Sequence, residues 1–212
     1  MPDLSPQAPP KGTVFIVAAP SGAGKTSLVN ALVASTPGVC LSISHTTRPR
    51  RPGEQEGEHY HFVDRADFQV MVDAGAFLEH AEVFGNLYGT GRAGVLERAE
   101  QGDDVILEID WQGARQVRAA LPDAVGIFIL PPSRLVLEQR LHSRAQDSAE
   151  VIAERMREAR DEIAHHGEFD YLVVNDQFET ALSELRTVVL ARRLRREVQH
   201  RRLAGLVAEL LA

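Results

Sequence analysis

Cysteine, long apolar runs and targeting signals are scarce or missing in this 212-residue chain. Cys40 is its one cysteine, so no disulfide can form within the chain, and such sparse cysteine is typical of proteins from reducing compartments. No apolar run approaches the roughly 20 residues that a membrane helix needs, and the N-terminus lacks the basic and then apolar pattern of a secretory signal. The sequence therefore predicts a cytoplasmic protein that does not associate with membranes.

Positive charge is also in short supply. The chain has 23 lysine and arginine residues against 30 aspartate and glutamate residues, a net charge of -7. An acidic chain has no broad electrostatic attraction for nucleic acid or for anionic membranes. We therefore expect no nucleic-acid partner, and no feature of the sequence indicates an obligate protein partner.

Short apolar runs alternate with helical patterns along most of the chain. The runs span residues 13–18, 105–109, 125–130 and 171–174 and are rich in β-branched residues. Continuous apolar runs of this length are typical of strands covered on both faces, and helices between them are typical of a parallel sheet. The predicted fold is α/β, a parallel sheet flanked by helices. With 44% hydrophobic residues, a chain of this length can bury one substantial core.

Three regions depart from this alternation. Residues 1–11 are rich in proline and poor in bulky apolar side chains, so we expect a disordered tail. From residue 41 to about residue 94, proline and glycine interrupt short mixed segments, which predicts an inserted and largely extended subdomain. Residues 192–196 carry an arginine cluster that we expect to be the solvated face of a packed C-terminal helix. Outside these regions, Trp111 is expected to pack in the core.

A phosphate-binding loop is predicted directly after the first apolar run. Residues 19–26 read A-P-S-G-A-G-K-T, which fits the pattern G-x-x-x-x-G-K-[ST] except that Ala19 replaces the first glycine. Glycines let backbone N–H groups converge on phosphate oxygens, and the helix that follows directs its positive dipole end to the same point. Lys25 is expected to reach the β- and γ-phosphates of a nucleotide, and Thr26 to ligate Mg²⁺. The residues expected at the donor nucleotide are Ser21, Gly22, Ala23, Gly24, Lys25, Thr26 and Ser27.

The loop alone does not separate a kinase from a GTPase, an ATPase or a transporter subunit. A GTPase is disfavoured because the chain has no Asn-Lys-x-Asp motif. Arg48, Arg50 and Arg51 lie on a proline-stiffened turn, where they would repel one another without an anion, and planar guanidinium groups suit a phosphate. This cluster predicts a site for a second phosphorylated ligand, as a kinase acceptor would be.

Four motifs occur in and after the arginine cluster. They are S-x-S-x-T-T-R-x-x-R-x-G-E at residues 42–54, F-L-E at 77–79, G-N-L-Y-G-T at 85–90 and I-D-W-Q-G at 109–113. In their order and spacing, the chain resembles the guanylate kinase family from about residue 13 to residue 176. The resemblance implies a nucleoside monophosphate kinase that transfers the γ-phosphoryl group of MgATP to GMP and releases ADP and GDP. It also implies a core of residues 12–43, 95–132 and 161–212, a mixed β/α GMP-binding subdomain of residues 44–94 and a helical lid of residues 133–160.

The resemblance also assigns a GMP site. It places the phosphate of GMP at Arg48, Arg51, Tyr60 and Tyr88, and the guanine at Ser44, Glu79, Thr90 and Asp110. Guanine presents hydrogen-bond donors at N1 and N2, so a buried carboxylate such as Glu79 pairs with guanine and is left unpaired by adenine. Many relatives carry serine where this chain has Thr90.

Two carboxylates alternate at the end of the run 105–109. Period-two geometry puts Glu108 and Asp110 on one face, near the sheet edge where ligands bind in open α/β sheets. We expect Glu108 to act on Mg²⁺ together with Thr26, and to do so through water, because Mg²⁺ usually keeps several of its own waters. The family commonly has aspartate at the position of Glu108.

The resemblance completes the set of catalytic and donor residues. The residues implied for the transfer are Lys25, Arg48, and the lid arginines Arg144 and Arg155, and Asn175 is implied near the donor adenine. Positive charge of this kind stabilises the negative charge of the phosphoryl group during its transfer, and the protein itself forms no covalent bond to that group. Asp147 is a candidate N-cap for the helix that carries Arg155.

Two other interpretations remain open. A kinase on the same scaffold could act on a different phosphorylated acceptor, such as a ribose phosphate, although Glu79 with Ser44 and Thr90 favours guanine. A catalytically inactive module, like the guanylate-kinase-like domains of scaffold proteins, would share the fold, but the chain keeps Lys25 and Thr26. Comparing GMP, AMP and ribose phosphates as acceptors in an assay of ADP release separates these interpretations.

Overall fold

The structure is a computed structural model that describes residues 11–83, 85–144 and 149–212. In these ranges the strands are β1 (Val14–Ala18), β2 (Val39–Leu41), β3 (His45–Thr46), β4 (His61–Phe62), β5 (Phe77–Val83), β6 (Asn86–Gly91), β7 (Asp104–Glu108), β8 (Val125–Leu130) and β9 (Tyr171–Val174). The helices are α1 (Lys25–Ser35), α2 (Arg65–Asp73), α3 (Arg92–Glu100), α4 (Trp111–Ala120), α5 (Arg134–Arg144), α6 (Ala149–Ala164), α7 (Phe178–Arg193) and α8 (Arg196–Leu211). Residues 1–10 of the expected tail lie outside the described part of the chain.

Five strands form a parallel sheet in the order β2-β7-β1-β8-β9. The first strand, β1, lies at its centre, with Val14 opposite Val105 of β7 and Phe15 opposite Val125 of β8. Each of the four apolar runs in the sequence becomes a strand of this sheet, and helices follow on both faces. The predicted α/β fold with a parallel sheet and flanking helices is confirmed.

Alternate side chains of β1 belong to two different hydrophobic clusters. Phe15 and Val17 pack with residues of α1 and α7, including Leu28 and Leu185. Val14 and Ile16, which point the other way, pack with α3 and α4 through residues such as Val117. All of these side chains are buried, so the central sheet has a dry layer on each face, as strands with no polar positions require.

The last strand of the sheet differs from the expectation of two covered faces. In β9, Tyr171, Leu172 and Val174 are 45%, 51% and 46% exposed, and Val173 alone is buried. The cause is its place at the edge of the sheet, where β8 is its single neighbouring strand and α7 covers only one side. An apolar run therefore identified the strand correctly and its burial wrongly.

A second, mixed sheet lies in the inserted part of the sequence, in the order β4-β3-β6-β5. Strand β6 pairs antiparallel with both β3 and β5, and β3 pairs parallel with β4. The register between β5 and β6 shifts after Phe77, so that Glu79 lies opposite Thr90. Phe77 stacks on Phe68 of α2 with ring centroids 4.6 Å apart, while Leu78 joins the cluster beneath the central sheet. Such a bulge redirects a side chain, and here it brings Glu79 to its position.

Helices α5 and α6 pack together through a small apolar cluster. Leu137 and Leu141 of α5 are buried against Ala159 of α6, with Met156 and Ile163 packed beside them. The predicted apolar stripe on this segment is therefore the α5 contact surface of α6. None of the helices in the described ranges has both the length and the apolar character needed to cross a membrane.

Three further expectations, about Trp111 and about the C-terminal segment, were wrong. Trp111 is only partly buried, because it is the first residue of α4, and its ring stacks on His165 with centroids 3.6 Å apart. The arginine cluster of residues 192–196 is not wholly solvated, since Arg193 Nε donates to Oδ2 of the buried Asp104 at 2.7 Å. The C-terminal segment also forms two helices, α7 and α8, where the sequence indicated one.

Candidate active site

The loop between β1 and α1 has the backbone of a phosphate cradle. Gly22 and Gly24 have φ angles of 89° and 90°, the left-handed region that glycine adopts without strain. A Cβ at Gly22 would lie 3.0 Å from Leu137 and 3.1 Å from Leu141, so α5 packs directly against the loop. Gly24 is the N-cap of α1 and offers no capping side chain, which leaves the first N–H groups of the helix available for an anion.

Asn175, at the end of β9, supports this loop. Its side chain is 6% exposed, and Nδ2 donates to the carbonyl oxygen of Ala23 at 2.7 Å. The backbone oxygen of Asn175 in turn accepts from Arg140 Nη2 at 3.0 Å. The loop conformation is therefore tied to the segment that follows the edge strand β9, and the contact of Asn175 with the donor adenine stays a prediction.

Lys25 lies among acidic side chains at the carboxyl end of β7. Its Nζ donates to the backbone oxygen of Ile109 at 3.3 Å. Burial lowers the pKa of Lys25, and the carboxylates of Glu108, Glu162 and Asp110 act in the opposite direction. Phosphate groups placed beside Lys25 would further favour its charged form.

An oxygen-rich corner adjoins Lys25. The hydroxyl of Thr26 donates to Oε1 of Glu108, so the two residues predicted to serve the metal are in direct contact. The described residues contain no group of three or more His, Cys, Asp or Glu side chains arranged to hold a metal ion. Mg²⁺ is commonly bound by one or two protein oxygens together with substrate phosphates and water. Thr26 and Glu108 fit that kind of site.

Glu79 and Thr90 form a buried pair across β5 and β6. The hydroxyl of Thr90 donates to Glu79 Oε1 at 2.5 Å, and the two residues are 1% and 7% exposed, respectively. Burial raises the pKa of Glu79, the hydrogen bond from Thr90 lowers it, and the nearby charge of Asp110 raises it. A carboxylate held in this way has strong need of hydrogen-bond donors.

Asp110 and Glu79 approach each other at the start of α4. Asp110 caps this helix, its Oδ1 accepting from Gly113 N at 2.7 Å. A Cβ at Gly113 would lie 3.1 Å from Glu79 Oε2 and 3.4 Å from Asp110 Oδ1, so glycine leaves room for both carboxylates. Ser44, partly buried, precedes β3, and its backbone oxygen accepts from His61 N at 2.9 Å. The residues predicted for guanine thus lie on adjoining elements around the mixed sheet.

The predicted phosphate end of this site is organised by an acidic residue. Arg48 Nη2 pairs with Glu54 Oε1 at 2.6 Å, and Glu54 Oε2 accepts from Arg51 N at 2.8 Å. These bonds hold the pKa of Glu54 at about 2. The guanidinium of Arg48 lies 5.4 Å from the ring centre of Tyr60, whose centroid is 6.0 Å from that of Tyr88. Arg48, Tyr60 and Tyr88 are therefore neighbours, while the side chain of Arg51 is exposed.

The lid arginines are only partly described. Arg155 is partly buried on α6. The side chain of Arg144 and the proposed cap Asp147 lie outside the described residues. Their predicted roles stay predictions.

Two functional candidates escaped the sequence analysis. Glu54 was within a quoted motif, and its position three residues after Arg51 on a glycine turn could have indicated a local contact. Glu162 had no such signal. Its Oε2 accepts from Ser21 N at 3.1 Å across a separation of 141 residues, and only the packing of α6 brings them together.

Comparison with known proteins gives this arrangement a family. The family model described as guanylate kinase matches residues 11–192. The chain belongs to the guanylate kinase family. The resemblance stated from the motifs is thereby confirmed.

Individual members of the guanylate kinase family match nearly the whole chain. Proteins named guanylate kinase from Nitrosococcus oceani and Alkalilimnicola ehrlichii are 62% and 58% identical over 200 residues, which cover 94% of this chain and 98% of each relative. A guanylate kinase from Vibrio parahaemolyticus is 54% identical over 204 residues, 95% of this chain and 99% of that relative. The crystal structure of guanylate kinase from Anaplasma phagocytophilum has a TM-score of 0.72 and 32% identity, covering 89% of this chain and 90% of that one.

Proposed function

We propose that the chain transfers the γ-phosphoryl group of ATP to GMP and releases ADP and GDP. The observation that carries this proposal is the junction of β7 and α4. Lys25 of the phosphate loop contacts Ile109 O, and the next residue, Asp110, lies beside Glu79. A single short segment thus borders both a donor cradle and a pocket with a buried carboxylate, as transfer between two nucleotides requires.

The donor side uses the phosphate loop. Backbone N–H groups between Ser21 and Ser27 would bind the phosphates of ATP, and Lys25 would reach the β- and γ-phosphates. Thr26 and Glu108 would hold Mg²⁺ there. When bound with the donor, Mg²⁺ supplies charge neutralisation on the phosphate oxygens.

The acceptor side distinguishes bases by pairing. Glu79 and Asp110 would accept hydrogen bonds from N1–H and the exocyclic amine of guanine, with Ser44 and Thr90 near O6. Adenine presents no donor at N1, so it would leave the buried carboxylate of Glu79 without a partner. Selectivity of this kind is strong because the penalty falls on a desolvated charge.

The transfer depends on positive charge and on orientation. An oxygen of the GMP phosphate attacks the γ-phosphorus as the bond from that phosphorus to the ADP oxygen breaks. Arg48, held in place by Glu54, would orient the attacking phosphate together with Arg51, Tyr60 and Tyr88. The residues proposed to follow the moving charge are Lys25, Arg48, Arg144 and Arg155, and Asn175 would complete the donor site.

In this mechanism, different segments of the chain have different roles. We assign residues 12–43, 95–132 and 161–212 to the core, residues 44–94 to GMP binding, and residues 133–160 to a lid. Closure of a lid over the donor would exclude water and limit hydrolysis of ATP.

An acceptor comparison tests the function. ADP release is measured with ATP and either GMP, AMP or ribose 5-phosphate, using the wild type and Lys25→Ala. We expect GMP to be preferred by at least about thirtyfold, since a desolvated carboxylate left unpaired costs roughly 2–3 kcal/mol or more. Lys25→Ala should lose transfer by at least about a hundredfold while GMP still binds, because the two phosphates have separate sites.

Two results would contradict the proposal. Equal rates with GMP and AMP would refute the assigned acceptor. Tight GMP binding without any ADP release would favour an inactive binding module.

A further inference from the structure

The carboxylate of Glu162 lies on the phosphate loop. Glu162 is in the last turn of α6, and its Oε2 accepts the backbone N–H of Ser21 at 3.1 Å. It is also near enough to Lys25 for each charge to affect the pKa of the other group. A negatively charged oxygen of the protein thus lies beside two of the positive groups of the cradle.

The surroundings of Glu162 do not form an ordinary ion pair. Burial raises its pKa, the Ser21 N–H and Lys25 lower it, and Asp110 and Glu158 raise it again. Glu54, by contrast, is a partly buried carboxylate with a guanidinium partner at hydrogen-bond distance. A desolvated carboxylate placed near other carboxylates is more typical of functional sites than of structural ion pairs.

Both groups that Glu162 contacts or approaches are those proposed to bind the donor. An N–H group can point to only one anion at full strength, and the donor's phosphates carry more charge than one carboxylate. A triphosphate at Ser21 and Lys25 therefore has to displace Glu162 or repel it. Since Glu162 belongs to α6, its displacement changes the contact between this helix and the loop.

We propose that Glu162 is a further functional residue of the donor site, an internal competitor that sets the affinity for the donor's phosphates and links their binding to the position of α6. The proposal rests on the assignment of ATP to this loop. Its effect falls on the donor, because the residues proposed for GMP lie on or beside the mixed sheet, except Asp110, which acts on Glu162 through its charge alone. Removal of the negative charge should strengthen donor binding.

The C-terminal end of α6, next to Glu162, is held firmly against α4. His165, three residues after Glu162, stacks on Trp111 of α4, and Glu168 forms two bonds to Arg115 of α4, at 2.7 and 2.6 Å. These contacts hold the C-terminal end of α6. Release of Glu162 therefore moves its side chain, or tilts α6 about this end, without freeing the helix from the core.

The test compares Glu162→Gln with a matched control on the same turn. Glutamine keeps the length and an oxygen that can accept from Ser21 N, but it removes the charge near Lys25. Asp161→Asn makes the same change of charge at the neighbouring residue, whose side chain is exposed. The control therefore accounts for the general effect of one fewer negative charge on binding of an anion.

The measurements are the Kd of MgATP and of inorganic tripolyphosphate by calorimetry, and KM for ATP and for GMP by ADP release. For Glu162→Gln we expect Kd for both probes and KM for ATP to fall by about three- to tenfold relative to Asp161→Asn, the range given by the net contribution of one ordinary hydrogen bond. KM for GMP should be unchanged. Should Glu162→Gln not fold, Glu162→Asp, which retracts the carboxylate, should show a smaller fall in the same direction.

An unchanged or weaker affinity for MgATP and tripolyphosphate, measured against the control, would overturn the proposal. A parallel change in KM for GMP would also overturn it, since the effect would not belong to the donor site. Failure of the assigned function is recognised separately, because the wild type would then show no ADP release with GMP.

Discussion

Glu79 combines burial, a raised pKa and a proposed role in base selection at one residue. In the folded chain its carboxyl group is 7% exposed, and burial raises its pKa above the ordinary value of 4.5. An ionised group in this position destabilises the free protein, because the unfolded chain hydrates the charge fully. The same property makes the carboxylate a strong acceptor for guanine. Stability and selectivity are therefore opposed at this residue.

Glu79→Gln should show both effects. KM for GMP should rise by about ten- to a hundredfold, as loss of a hydrogen bond to a charged group predicts. At pH 7 the free variant should be more stable than the wild type by on the order of 1 kcal/mol, or roughly 2–4 °C in Tm for a chain of this size. Thr90 can still donate to the glutamine oxygen.

The gain in stability expected for Glu79→Gln depends on pH. A carboxyl group whose pKa is raised by folding takes up a proton more readily in the folded state, so stability is lost as pH rises from 4.5 through the raised pKa. The advantage of Glu79→Gln should therefore disappear below about pH 4.5, where the wild-type carboxyl is protonated in both states. Thermal unfolding from pH 4 to pH 8 checks this. Glu82→Gln, an exposed change on the same strand, is the control, and an equal gain there would refute the explanation.

For single residues, the sequence indicated which side chains have a function more readily than it indicated which protein residues contact them. Arg48 was expected to bind a phosphate because the three arginines of its turn would repel one another without an anion, and guanidinium groups suit a phosphate. The carboxylate that holds Arg48, Glu54, was within reach of sequence reasoning, since both belong to one short turn. Glu162 was not, because its contact with Ser21 depends on how a distant helix packs.

Among the secondary-structure elements, α4 and the end of α6 are joined by Arg115, His165 and Glu168, and we call this contact the joint. Arg115 and Glu168 form a bidentate pair, and His165 Nδ1 lies 2.7 Å from Glu168 Oε1. These contacts lower the pKa of Glu168 to about 2, with the hydrogen bond from Arg115 as the largest cause. The joint thus has an electrostatic part that responds to acid.

Glu168→Gln should weaken this joint modestly. The pair is exposed to solvent, so we expect a loss of about 1 kcal/mol or less at pH 7, and less in 1 M salt. A carboxyl group with a depressed pKa stabilises the fold above the unfolded value and loses that contribution as pH falls through the folded one. The difference between wild type and variant should therefore shrink between pH 4.5 and about pH 2. Urea unfolding at several pH values measures it, with Asp161→Asn as control, and a difference independent of pH would contradict this account.

Strands were predicted well from the sequence where a continuous apolar run identified them. Four apolar runs became the strands expected, because a strand covered on both faces has few places for polar residues, and β9 kept the apolar composition at the edge of the sheet without the burial. The bulge in β5 was not predictable, since it depends on Leu78 packing beneath one sheet while Phe77 packs on Phe68. That bulge places Glu79 opposite Thr90, so one irregularity of the backbone positions the carboxylate that we propose for guanine.

For the whole molecule, one buried charge joins three distant parts of the chain. Asp104, at the start of β7, is 2% exposed. Its Oδ1 accepts from Thr13 N at 2.7 Å, and its Oδ2 accepts from Arg193 Nε at the end of α7 at 2.7 Å. The entry to β1, the central sheet and the C-terminal helix pair therefore meet at a single carboxylate.

Asp104→Asn should destabilise the whole fold. Asparagine can keep the bond from Thr13 but presents an amide nitrogen or a neutral oxygen to Arg193. Because Arg193 is partly exposed and can be hydrated, we expect a loss of about 2 kcal/mol, below the 3–5 kcal/mol typical of a fully buried pair. Thermal unfolding checks this, and Asp103→Asn, which affects only a more exposed pair with Arg98, should change Tm much less. Equal effects of the two variants would show that Asp104 has no special role.

The expected solvated arginine cluster shows why this connection was missed. Sequence periodicity places Arg193 on a helix but says nothing of the strand that faces it. Similarly, the exposure of β9 depends on its place at the edge of the sheet, which no local pattern encodes. The class of fold follows from local chemistry, whereas long-range pairs follow from topology.

The stacked pair of Trp111 and His165 has a practical consequence. The chain contains one tryptophan, so its tryptophan fluorescence arises entirely beside the C-terminal end of α6. Quenching by a neighbouring imidazole depends on ring separation and on protonation. The unlabelled protein therefore carries an optical reporter at the joint about which α6 would tilt.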